Sequence, residues 1–405
     1  MKNILLVAVV VLSSVACEKT EGHLNYGNVL NGDISSNPPS PPAPPPPVAS
    51  GLAFAFGTNS MGKLGFAAPA MVSVPTALND GHNWLQLSSL NDHSCGIDDQ
   101  NDAYCWGSGY KGMLGNNSED DKNIPTLVTG GHKWKSISAG FYHSCGITVA
   151  DEAYCWGWNR RGAIGDNTTV DRWIPTPVLG GQTWKSISAG YDTSCGISSS
   201  GVAYCWGDGG MAVTGNSDLG LQLQLGVPVA GGLTWESVSL GVEHACALTT
   251  DSLAYCWGSG GAGQLGDGVD WSWEEAPVPV LGGHTFKHLV SGQKHVCGIT
   301  SSDTAYCWGD AWRGQLGDGV DYSATFSSAT PVLVAGGHSW KKIDPGYEQT
   351  CGITTSGEAY CWGRATSGQL GNGSTAGNEL APVLVSGGHT WSDIIAGSEF
   401  VIGLQ

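Results

Sequence analysis

The residues of this chain most able to do chemistry are its thirteen cysteines, twelve of which form pairs separated by ten residues. In one pair, Cys145 and Cys155 lie in short apolar runs that flank the polar segment 149–152. Folding this segment as a β-hairpin puts the two cysteines opposite each other, with Cα atoms about 4.5–5.5 Å apart, a spacing that a disulfide accepts. The sequence therefore predicts six disulfides: Cys95 with Cys105, Cys145 with Cys155, Cys195 with Cys205, Cys246 with Cys256, Cys297 with Cys307 and Cys351 with Cys361.

Histidine is the next candidate for chemistry. A first set stands two positions before the first cysteine of a pair: His93, His143, His244 and His295. A ring of histidines suggests a metal site, but side chains in successive repeats of a wide ring cannot converge at the roughly 2 Å of a metal–nitrogen bond. We predict instead a repeated backbone hydrogen bond within each repeat. A second set follows glycines in turns and is interpreted as structural or solvent-facing: His82, His132, His284, His338 and His389.

Two segments, 267–270 and 318–321, share the sequence Asp-Gly-Val-Asp and suggest a calcium loop. Two carboxylates alone are too few for an ion that takes six to eight oxygen ligands. The sequence also contains no nucleophile elbow, phosphate-binding loop or cluster of metal ligands. We therefore predict no metal, no cofactor and no catalytic residue.

The cysteine pairs belong to a repeat of about 50 residues. Each second cysteine is followed by Trp-Gly, and these tryptophans are 50, 50, 51, 51 and 54 residues apart. Self-similarity at this period is typical of propellers and solenoids. Each repeat contains four predicted strands, which are a Pro-Val-Leu-Val-like segment, a segment that begins at tryptophan and the two cysteine strands. A glycine-rich segment such as 314–317 is expected to connect one blade to the next, with its leucine as a plug between them.

A seventh copy of the repeat is divided between the two ends of the chain. Residues 53–57 stand 50 positions before residues 103–107, and residues 391–397 align with 134–140. The alignment places Ala55 and Ile402 where the other copies have their two cysteines. Because both members of this pair are replaced together, we predict that the two ends build one blade and close the ring, which leaves few exposed sheet edges.

The combination of Trp-Gly, Gly-Gln-Leu-Gly-Asp-Gly and Ala-Gly-x-x-His resembles the repeat of the regulator of chromosome condensation family. The resemblance covers roughly residues 52–405, with a departure at 210–225, where the usual leucine is missing. It implies an all-β fold, a seven-bladed β-propeller. It implies little about function, because this fold hosts nucleotide exchange, photoreception and enzyme inhibition. The nuclear partners of the family's namesake are not expected for a chain that carries export and disulfide signals.

The segment before the propeller carries those export signals. Lys2, an apolar run over residues 4–12 and small residues before Cys17 predict a signal peptide over residues 1–16. The unpaired Cys17 resembles the lipidated cysteine of bacterial lipoproteins, although Ser14 stands where leucine is usual. An ordinary signal peptide that is cleaved nearby is the alternative.

Residues 17–50 are predicted to be a disordered, proline-rich linker before a propeller over residues 51–405. The proline run 38–47 would span roughly 30 Å as polyproline II and hold the head off a membrane. The expected location is the bacterial cell envelope, lipid-anchored at the outer membrane or cell surface, or the secreted fraction. Disulfides form in such oxidising compartments.

The net charge of −18 excludes several partners. Basic residues are few and scattered, with five arginines in the chain. Nucleic-acid binding needs a basic face, so no nucleic-acid partner is expected. Adsorption to anionic lipid is excluded for the same reason, which leaves a lipid anchor as the route to a membrane. A monomer is expected.

A binding site is predicted from aromatic residues that the repeat does not require. Tryptophan and tyrosine in loops on a rigid scaffold favour interfaces, although they can also simply pack over neighbouring loops. Equivalent positions of a rotational repeat share a face, so we predict an arc on one rim, interrupted at 210–225, with the aspartates of 267–270 and 318–321 beside it. Its members follow the Trp-Gly strands: Tyr110, Trp158, Trp173, Trp271, Trp273, Trp312 and Tyr322, with Phe326 nearby.

The predicted function is therefore that of a non-enzymatic cell-envelope protein whose tethered propeller engages an unidentified protein or glycan. The loop aromatics would serve an inhibitor of a secreted enzyme equally well. A glycan hydrolase or lyase is a further alternative. The segments 181–184, 232–235 and 388–391 resemble the end of a sialidase Asp-box but lack its aspartate. A screen for polysaccharide turnover separates the enzymatic alternative from binding.

Overall fold

Seven four-stranded antiparallel sheets form a seven-bladed β-propeller, as predicted. The computed structural model describes residues 51–67, 69–210, 212–216 and 222–405. The signal peptide, Cys17 and the proline-rich linker predicted over residues 1–50 lie outside the described residues. Within the described ranges, no helix has the length and apolar character needed to span a membrane.

Six blades consist of four consecutive strands, and the seventh combines strands from both ends of the chain. The strands are β1 (Ala53–Thr58), β2 (Met71–Ala77), β3 (Trp84–Ser89), β4 (His93–Asp98), β5 (Ala103–Gly107), β6 (Lys122–Leu127), β7 (Trp134–Ala139), β8 (His143–Thr148), β9 (Ala153–Gly157), β10 (Arg172–Pro177), β11 (Trp184–Ala189), β12 (Thr193–Ser198), β13 (Ala203–Asp208), β14 (Gln222–Pro228), β15 (Trp235–Leu240), β16 (His244–Thr249), β17 (Ala254–Gly260), β18 (Ser272–Pro279), β19 (Phe286–Ser291), β20 (His295–Thr300), β21 (Ala305–Asp310), β22 (Ser327–Leu333), β23 (Trp340–Pro345), β24 (Gln349–Thr354), β25 (Ala359–Arg364), β26 (Asn378–Leu384), β27 (Asp393–Ala396) and β28 (Phe400–Leu404). Two 3-10 turns, Ser60–Gly62 and Tyr110–Gly112, follow β1 and β5. Blade one is β3 to β6, blade six is β23 to β26, and blade seven has the order β2-β1-β28-β27.

The cysteine hairpin forms the middle of each blade. In blade two, β8 pairs with β9 so that Cys145 lies opposite Cys155. All six predicted disulfides are present, each within one blade, with Cα separations of 4.0–4.1 Å. This is near the narrower of the two spacings of antiparallel pairs, about 4.5 Å. The disulfide cysteines are fully buried, so the hairpin is the core of its blade.

The order of the strands within a blade differs from the prediction. The tryptophan strand is first and innermost, the two cysteine strands follow, and the Pro-Val-Leu-Val-like strand is last and outermost. In blade one, for example, β6 pairs with β5 through Leu127 and Tyr104. The glycine-rich segment therefore joins the third and fourth strands of one blade. Successive blades are connected instead by short Gly-Gly-His segments such as 128–133.

The glycine-rich loop nevertheless bridges two blades through its backbone. In the loop of blade one, the carbonyl of Met113 accepts hydrogen bonds from Trp156 Nε1 (3.0 Å) and Ser144 Oγ (2.9 Å) of blade two. The adjacent Leu114 is fully buried in one cluster with Trp134 and Trp156. The predicted leucine plug is confirmed, and the buried indole N–H has the hydrogen-bond partner that tryptophan requires in a core.

The first set of histidines also bridges blades, which corrects the predicted backbone bond within one blade. His93 Nε2 lies 2.7 Å from Ser144 Oγ of the next blade. Because this hydroxyl already donates to the Met113 carbonyl, the histidine must donate, which fixes the neutral Nε2–H tautomer. The same bond joins His143 to Ser194 and His295 to Thr350. Burial lowers the pKa of the whole set to about 3: His93, His143, His244 and His295.

His244 is the exception within this set. Val296 stands at the position where the next blade would supply a serine or threonine. Both ring nitrogens of His244 are buried and have no hydrogen-bond partner among the described residues. A buried donor without a partner is destabilising, so the interface between blades four and five is less stable than the interfaces in which the equivalent histidine has a partner.

The substitution Val296→Thr should raise the free energy of unfolding by about 1 kcal/mol, because it gives His244 the partner that His295 already has. The reciprocal substitution Ser194→Val should lower it by about 2 kcal/mol, because it leaves the buried His143 without a partner. Chemical denaturation of both variants measures these changes. A Val296→Thr protein no more stable than the parent would contradict the assignment.

Blade seven confirms the split copy. β1, from the start of the chain, pairs with β28 so that Ala55 lies directly opposite Ile402, and both side chains are buried. β2 is the outer strand and β27 the inner strand of this sheet. Closure of the ring therefore uses two strands from each end, held by hydrogen bonds and apolar packing where the other blades have a disulfide.

A buried lysine connects blade seven to blade one. Lys63 is 2% exposed, and its Nζ lies 3.1 Å from Asp92 Oδ1 and 3.2 Å from Ser398 Oγ. The same ammonium group lies 5.2 Å from the centre of the Phe400 ring. This side chain thus contacts the first blade and the last hairpin of the chain at once.

The inner strands of all seven blades line a central channel. Along it, the backbone N–H of Ala139 donates to Ser88 Oγ at 2.9 Å, and similar bonds link the next three blades. Val290 replaces the serine where the facing residue is Pro345, which has no N–H to donate. The next position is Asp344, which accepts from the Ala396 N–H at 2.9 Å. Burial raises the pKa of this carboxyl to about 7, although it is partly accessible from the channel.

Candidate binding face

The antiparallel order of the strands determines which loops share a face of the disc. In each blade, the turn between the first two strands and the loop between the last two leave from the same end of the sheet. We call this end the upper face. The turns between second and third strands and the connections between blades form the opposite, lower face.

The lower face carries the second set of histidines. His82 stacks on Tyr104 with ring centres 4.2 Å apart, and His132 stacks on Tyr154 at 4.3 Å. The same contact recurs at His284, His338 and His389, the last against Phe54. These histidines pack on aromatic rings, in agreement with the predicted structural role. Gly51, the first described residue, pairs with Trp84 at this face.

The predicted aromatic residues all lie in segments at the upper face, but they form separate groups. Trp271 is 85% exposed and Trp312 is 58% exposed, both in loops. Trp173 and Trp273 lie near the starts of the outer strands β10 and β18, where loops were predicted. Of the remaining members, Tyr110 begins a 3-10 turn, Trp158 and Tyr322 lie in loops, and all three are at least partly accessible.

Two predicted residues join a cluster of five aromatic rings that the sequence did not identify. Tyr142 occupies its centre, with ring-centre distances of 4.8 Å to Trp158, 5.2 Å to Tyr191 and 6.1 Å to Tyr110. Phe141 contacts Tyr142 at 4.7 Å and Tyr191 at 4.6 Å. Three of these rings come from the upper turns of blades two and three. The signal that could have found them was their place in the two variable positions of Ala-Gly-x-x-His.

Two clefts adjoin this five-ring cluster, and a third adjoins the second of them further along the upper face. A cleft of about 340 Å³ is lined by Tyr110 and Tyr142 together with Glu119 and Asp121. A second, of about 330 Å³, has Tyr191 in its wall and lies among the upper turns of blades three to five. A third cleft of about 300 Å³ is lined by Trp271 and Trp273, and shares Glu243 and Lys294 with the second. Together they give one band of aromatic and acidic surface.

The second cleft, which we call the Tyr191 cleft, has a perturbed carboxyl group. Burial and, to a lesser extent, the nearby Asp208 raise the pKa of Asp192 to about 6, while Arg161 opposes the shift. The same surroundings affect Tyr142, whose pKa burial and the bond to Tyr191 raise to about 12. The Asp192 charge is therefore incompletely neutralised by the protein itself.

The aromatics of blade five are held by polar contacts. Trp312 stacks on Phe326 with ring centres 5.1 Å apart, and the Arg313 guanidinium lies 5.7 Å from the Trp312 ring. The Tyr322 hydroxyl donates to Asp318 Oδ2 at 2.7 Å, and burial, then this bond, raises the pKa of the tyrosine. These contacts order the loop, so Trp312 is presented on a fixed support.

The aspartates considered for calcium are used within their own turns. Asp267 Oδ1 accepts from the Val269 N–H, and Asp318 Oδ1 accepts from the Val320 N–H, both at 3.1 Å. Within residues 51–67, 69–210, 212–216 and 222–405, no group of three or more histidine, cysteine or acidic side chains is placed to hold a metal. Elsewhere on this face, Arg364 pairs with Glu348 and Glu399 at 2.9 and 3.1 Å.

Many solved structures are similar to this chain. Yeast RCC1 (Prp20), in a crystal structure with Kap60, superposes with a TM-score of 0.79 at 20% identity, over 88% of this chain and 89% of that one. Human WBSCR16 gives 0.78 at 18% identity, over 88% of this chain and 98% of the other. At this identity, the likeness establishes the fold.

Curated relatives match parts of the chain. The human E3 ubiquitin-protein ligase HERC2 is 34% identical over 144 residues, 33% of this chain, and the Arabidopsis thaliana ultraviolet-B receptor UVR8 is 29% identical over 183 residues, 41% of this chain. The matched segments span 3% of HERC2 and 41% of UVR8. The family model of the RCC1-like domain matches residues 52–403, which is most of the chain. Together with the seven blades and their repeated seams, this match places the chain in the RCC1-like domain family.

Proposed function

We propose that the protein is a non-enzymatic binding protein of the cell envelope, which engages a protein partner through the upper face of its propeller. The observation that carries the proposal is the aromatic band on that face. The five-ring cluster of blades one to three is only partly buried, and Trp271 and Trp312 are exposed in upper-face loops of blades four and five. Exposed tryptophan and tyrosine on a rigid frame are the side chains that dominate protein interfaces.

The similar proteins support a protein partner. Yeast RCC1 has been crystallised in complex with Kap60, and binding properties toward Gsp1p and histones are described for Prp20p. Those partners belong to those proteins. For this chain we infer only that the fold serves as a scaffold on which loops recognise another protein.

The place where the described chain begins fits a tethered head. Gly51 pairs with Trp84 on the lower face, opposite the aromatic band. A linker that joins the propeller there and ends in a lipid at Cys17 leaves from the side that carries no predicted binding residue.

Replacing Cys17 with serine tests the anchor. The lipid is attached to the cysteine sulfur, and serine has no sulfur to carry it. The Cys17→Ser protein should therefore move from the membrane fraction to the soluble fraction. Mass spectrometry of the wild-type amino-terminal peptide should show a lipidated cysteine. An unlipidated Cys17 with unchanged fractionation would contradict the anchor and leave the binding face to be tested separately.

The double substitution Trp271→Ala and Trp312→Ala tests the face. Truncating central aromatic residues of an interface costs about 1–2 kcal/mol or more each, so partner capture from an envelope extract should fall at least about tenfold. The matched control is Leu333→Ala with Leu384→Ala, which removes apolar area that is also about half exposed but lies on outer strands. Equal capture by both double variants would overturn the proposed face.

A glycan is the second candidate, favoured by one specific feature. Trp271 is 85% exposed beside a cleft of about 300 Å³ that also contains Gln264 and Ser259. A sugar ring can stack on an exposed indole while hydroxyl and amide groups bind its edge. Competition of partner capture by neutral oligosaccharides would favour this candidate over a protein.

A further inference from the structure

The Tyr191 cleft combines an aromatic wall with an excess of negative charge. Three acidic side chains line it, namely Asp192, Asp208 and Glu243, against one lining basic residue, Lys294. Asp208 has a distant partner in Arg161, at 3.7 Å. Among the described residues, neither Asp192 nor Glu243 forms an ion pair with a basic side chain. The carboxylate oxygens of Asp192 and Glu243 are therefore available to accept hydrogen bonds from an incoming cation.

Two acidic side chains of this cleft differ from those on the equivalent turns of other blades, because they lack ion-pair partners among the described residues. Around the channel, other carboxylates on equivalent turns are already paired, as Asp92 is with Lys63 and Glu348 is with Arg364. Blades three and four keep Asp192 and Glu243 at these positions without such partners. The uncompensated charge is thus local to the cleft and goes beyond the overall net charge of −18.

The aromatic wall suggests which cation fits. Tyr191 belongs to the five-ring cluster, and a cation over a tyrosine face gains from the ring quadrupole. A planar guanidinium can stack on such a ring and donate to two carboxylates at once, which an ammonium cannot do as well. A volume of about 330 Å³ accommodates a long side chain that enters from the open side.

We propose that the Tyr191 cleft binds an arginine side chain of a basic segment in the partner protein. This inference rests on the proposed function and specifies the chemistry of its partner. Arginine enters between Asp192 and Glu243 and stacks against Tyr191, while the remaining aromatics of the upper face contact the surrounding partner surface. The charge complementarity favours a basic polypeptide over a neutral glycan.

The test uses N-acetylated tetra-arginine amide as the probe and N-acetylated tetra-citrulline amide, which is uncharged and nearly isosteric, as its reference. Calorimetric titration at low salt should show binding of the arginine peptide only. The double variant Asp192→Asn with Glu243→Gln should bind it at least about tenfold more weakly. Tyr191→Leu should weaken it severalfold.

These variants are expected to fold, because other blades carry different residue types at the same turn positions. Tyr142 and Lys294 occupy the positions of Asp192 and Glu243, and Val242 occupies that of Tyr191. The matched control is Glu152→Gln with Asp251→Asn, which removes the same two charge types from exposed lower-face turns. It should change the affinity less than about twofold.

Several outcomes would overturn the inference. If both double variants lost affinity for the arginine peptide equally, the attraction would come from the net charge of the protein and not from the Tyr191 cleft. Binding of the citrulline peptide with similar affinity would remove the role of the cation. Partner capture that persists in the Asp192→Asn and Glu243→Gln variant, still depends on Trp271 and Trp312 and is competed by oligosaccharide would reject arginine while keeping the upper face as the binding surface.

Discussion

Replacing Ala55 and Ile402 together with cysteine should create a seventh disulfide and raise the free energy of unfolding by about 4 kcal/mol. The two residues are directly opposed in blade seven and buried, as the bonded cysteines are in the other six blades. In the chain-entropy model, closing a loop of about 350 residues contributes nearly 6 kcal/mol, compared with under 3 kcal/mol for the ten-residue loops already present. Loss of part of the Ile402 side chain subtracts about 1–2 kcal/mol.

The single variants Ala55→Cys and Ile402→Cys are the controls, because each carries the packing change without the bond. Peptide mapping without reduction should recover a fragment that joins positions 55 and 402. Urea unfolding then compares the double variant with both single variants. A mapped bond that brings no gain over the single variants would show that separation of the chain ends does not limit the stability of the ring.

Acidification should destabilise the propeller steeply, by about 4 kcal/mol per pH unit near pH 5. The folded protein holds the four histidines of the first set with pKa values of about 3, and burial likewise lowers that of His288 to about 4. The unfolded chain binds these protons near pH 6.5 while the folded protein does not, so stability falls as the pH drops below that value. Two carboxyls, Asp192 and Asp344, act in the opposite direction, because burial raises their pKa to about 6 and about 7.

A reciprocal pair of substitutions isolates the histidine contribution. His244→Thr copies blade three, where Thr193 has the equivalent position, and should reduce the slope of stability against pH by about 1.4 kcal/mol per unit. Thr193→His should increase it by a similar amount, because position 193 is buried and burial would lower the pKa of the new imidazole as it does in the other blades. Denaturation midpoints between pH 4 and pH 7 measure both slopes. An unchanged slope in both variants would contradict the assignment.

Much of the fold could be predicted because the cysteine hairpin marks every repeat. The spacing of Cys145 and Cys155 determines a register, and the joint loss of cysteine at Ala55 and Ile402 reveals which strands meet when the ring closes. The sequence did not reveal which of the four strands in each repeat begins a blade. A repeat on a circle has no marked beginning, so periodicity cannot decide whether the Pro-Val-Leu-Val-like strand opens one blade or ends another.

The side-chain hydrogen bonds between blades were missed for a related reason. His93 points from its own strand toward the next blade, and its partner Ser144 is recognisable in the sequence only when two repeats are compared with an offset. The contact of Val290 with Pro345 also becomes clear only when two repeats are compared. Pro345 has no N–H to donate, so the facing position needs no hydroxyl and can be Val290.

The structure places the loop aromatics on one face, as rotational repetition predicts, but it also contains a cluster that the sequence did not reveal. Equivalent loops share a face, so the placement of Trp271 and Trp312 followed from rotational repetition alone. The five-ring cluster depends on Tyr142 and Tyr191, which lie far apart in the chain and meet only because blades two and three are neighbours. No pattern within one repeat carries that information.

The position of β1 in blade seven also determines how the propeller would respond to a mechanical load. β1 lies between β2 and β28 and begins beside Gly51, so a pull applied at Gly51 runs along the strand axis. The two hydrogen-bond ladders that flank β1 would be loaded in shear, all rungs together, instead of being opened one rung at a time. The ring would therefore resist tension along its linker far better than tension applied across the same sheet.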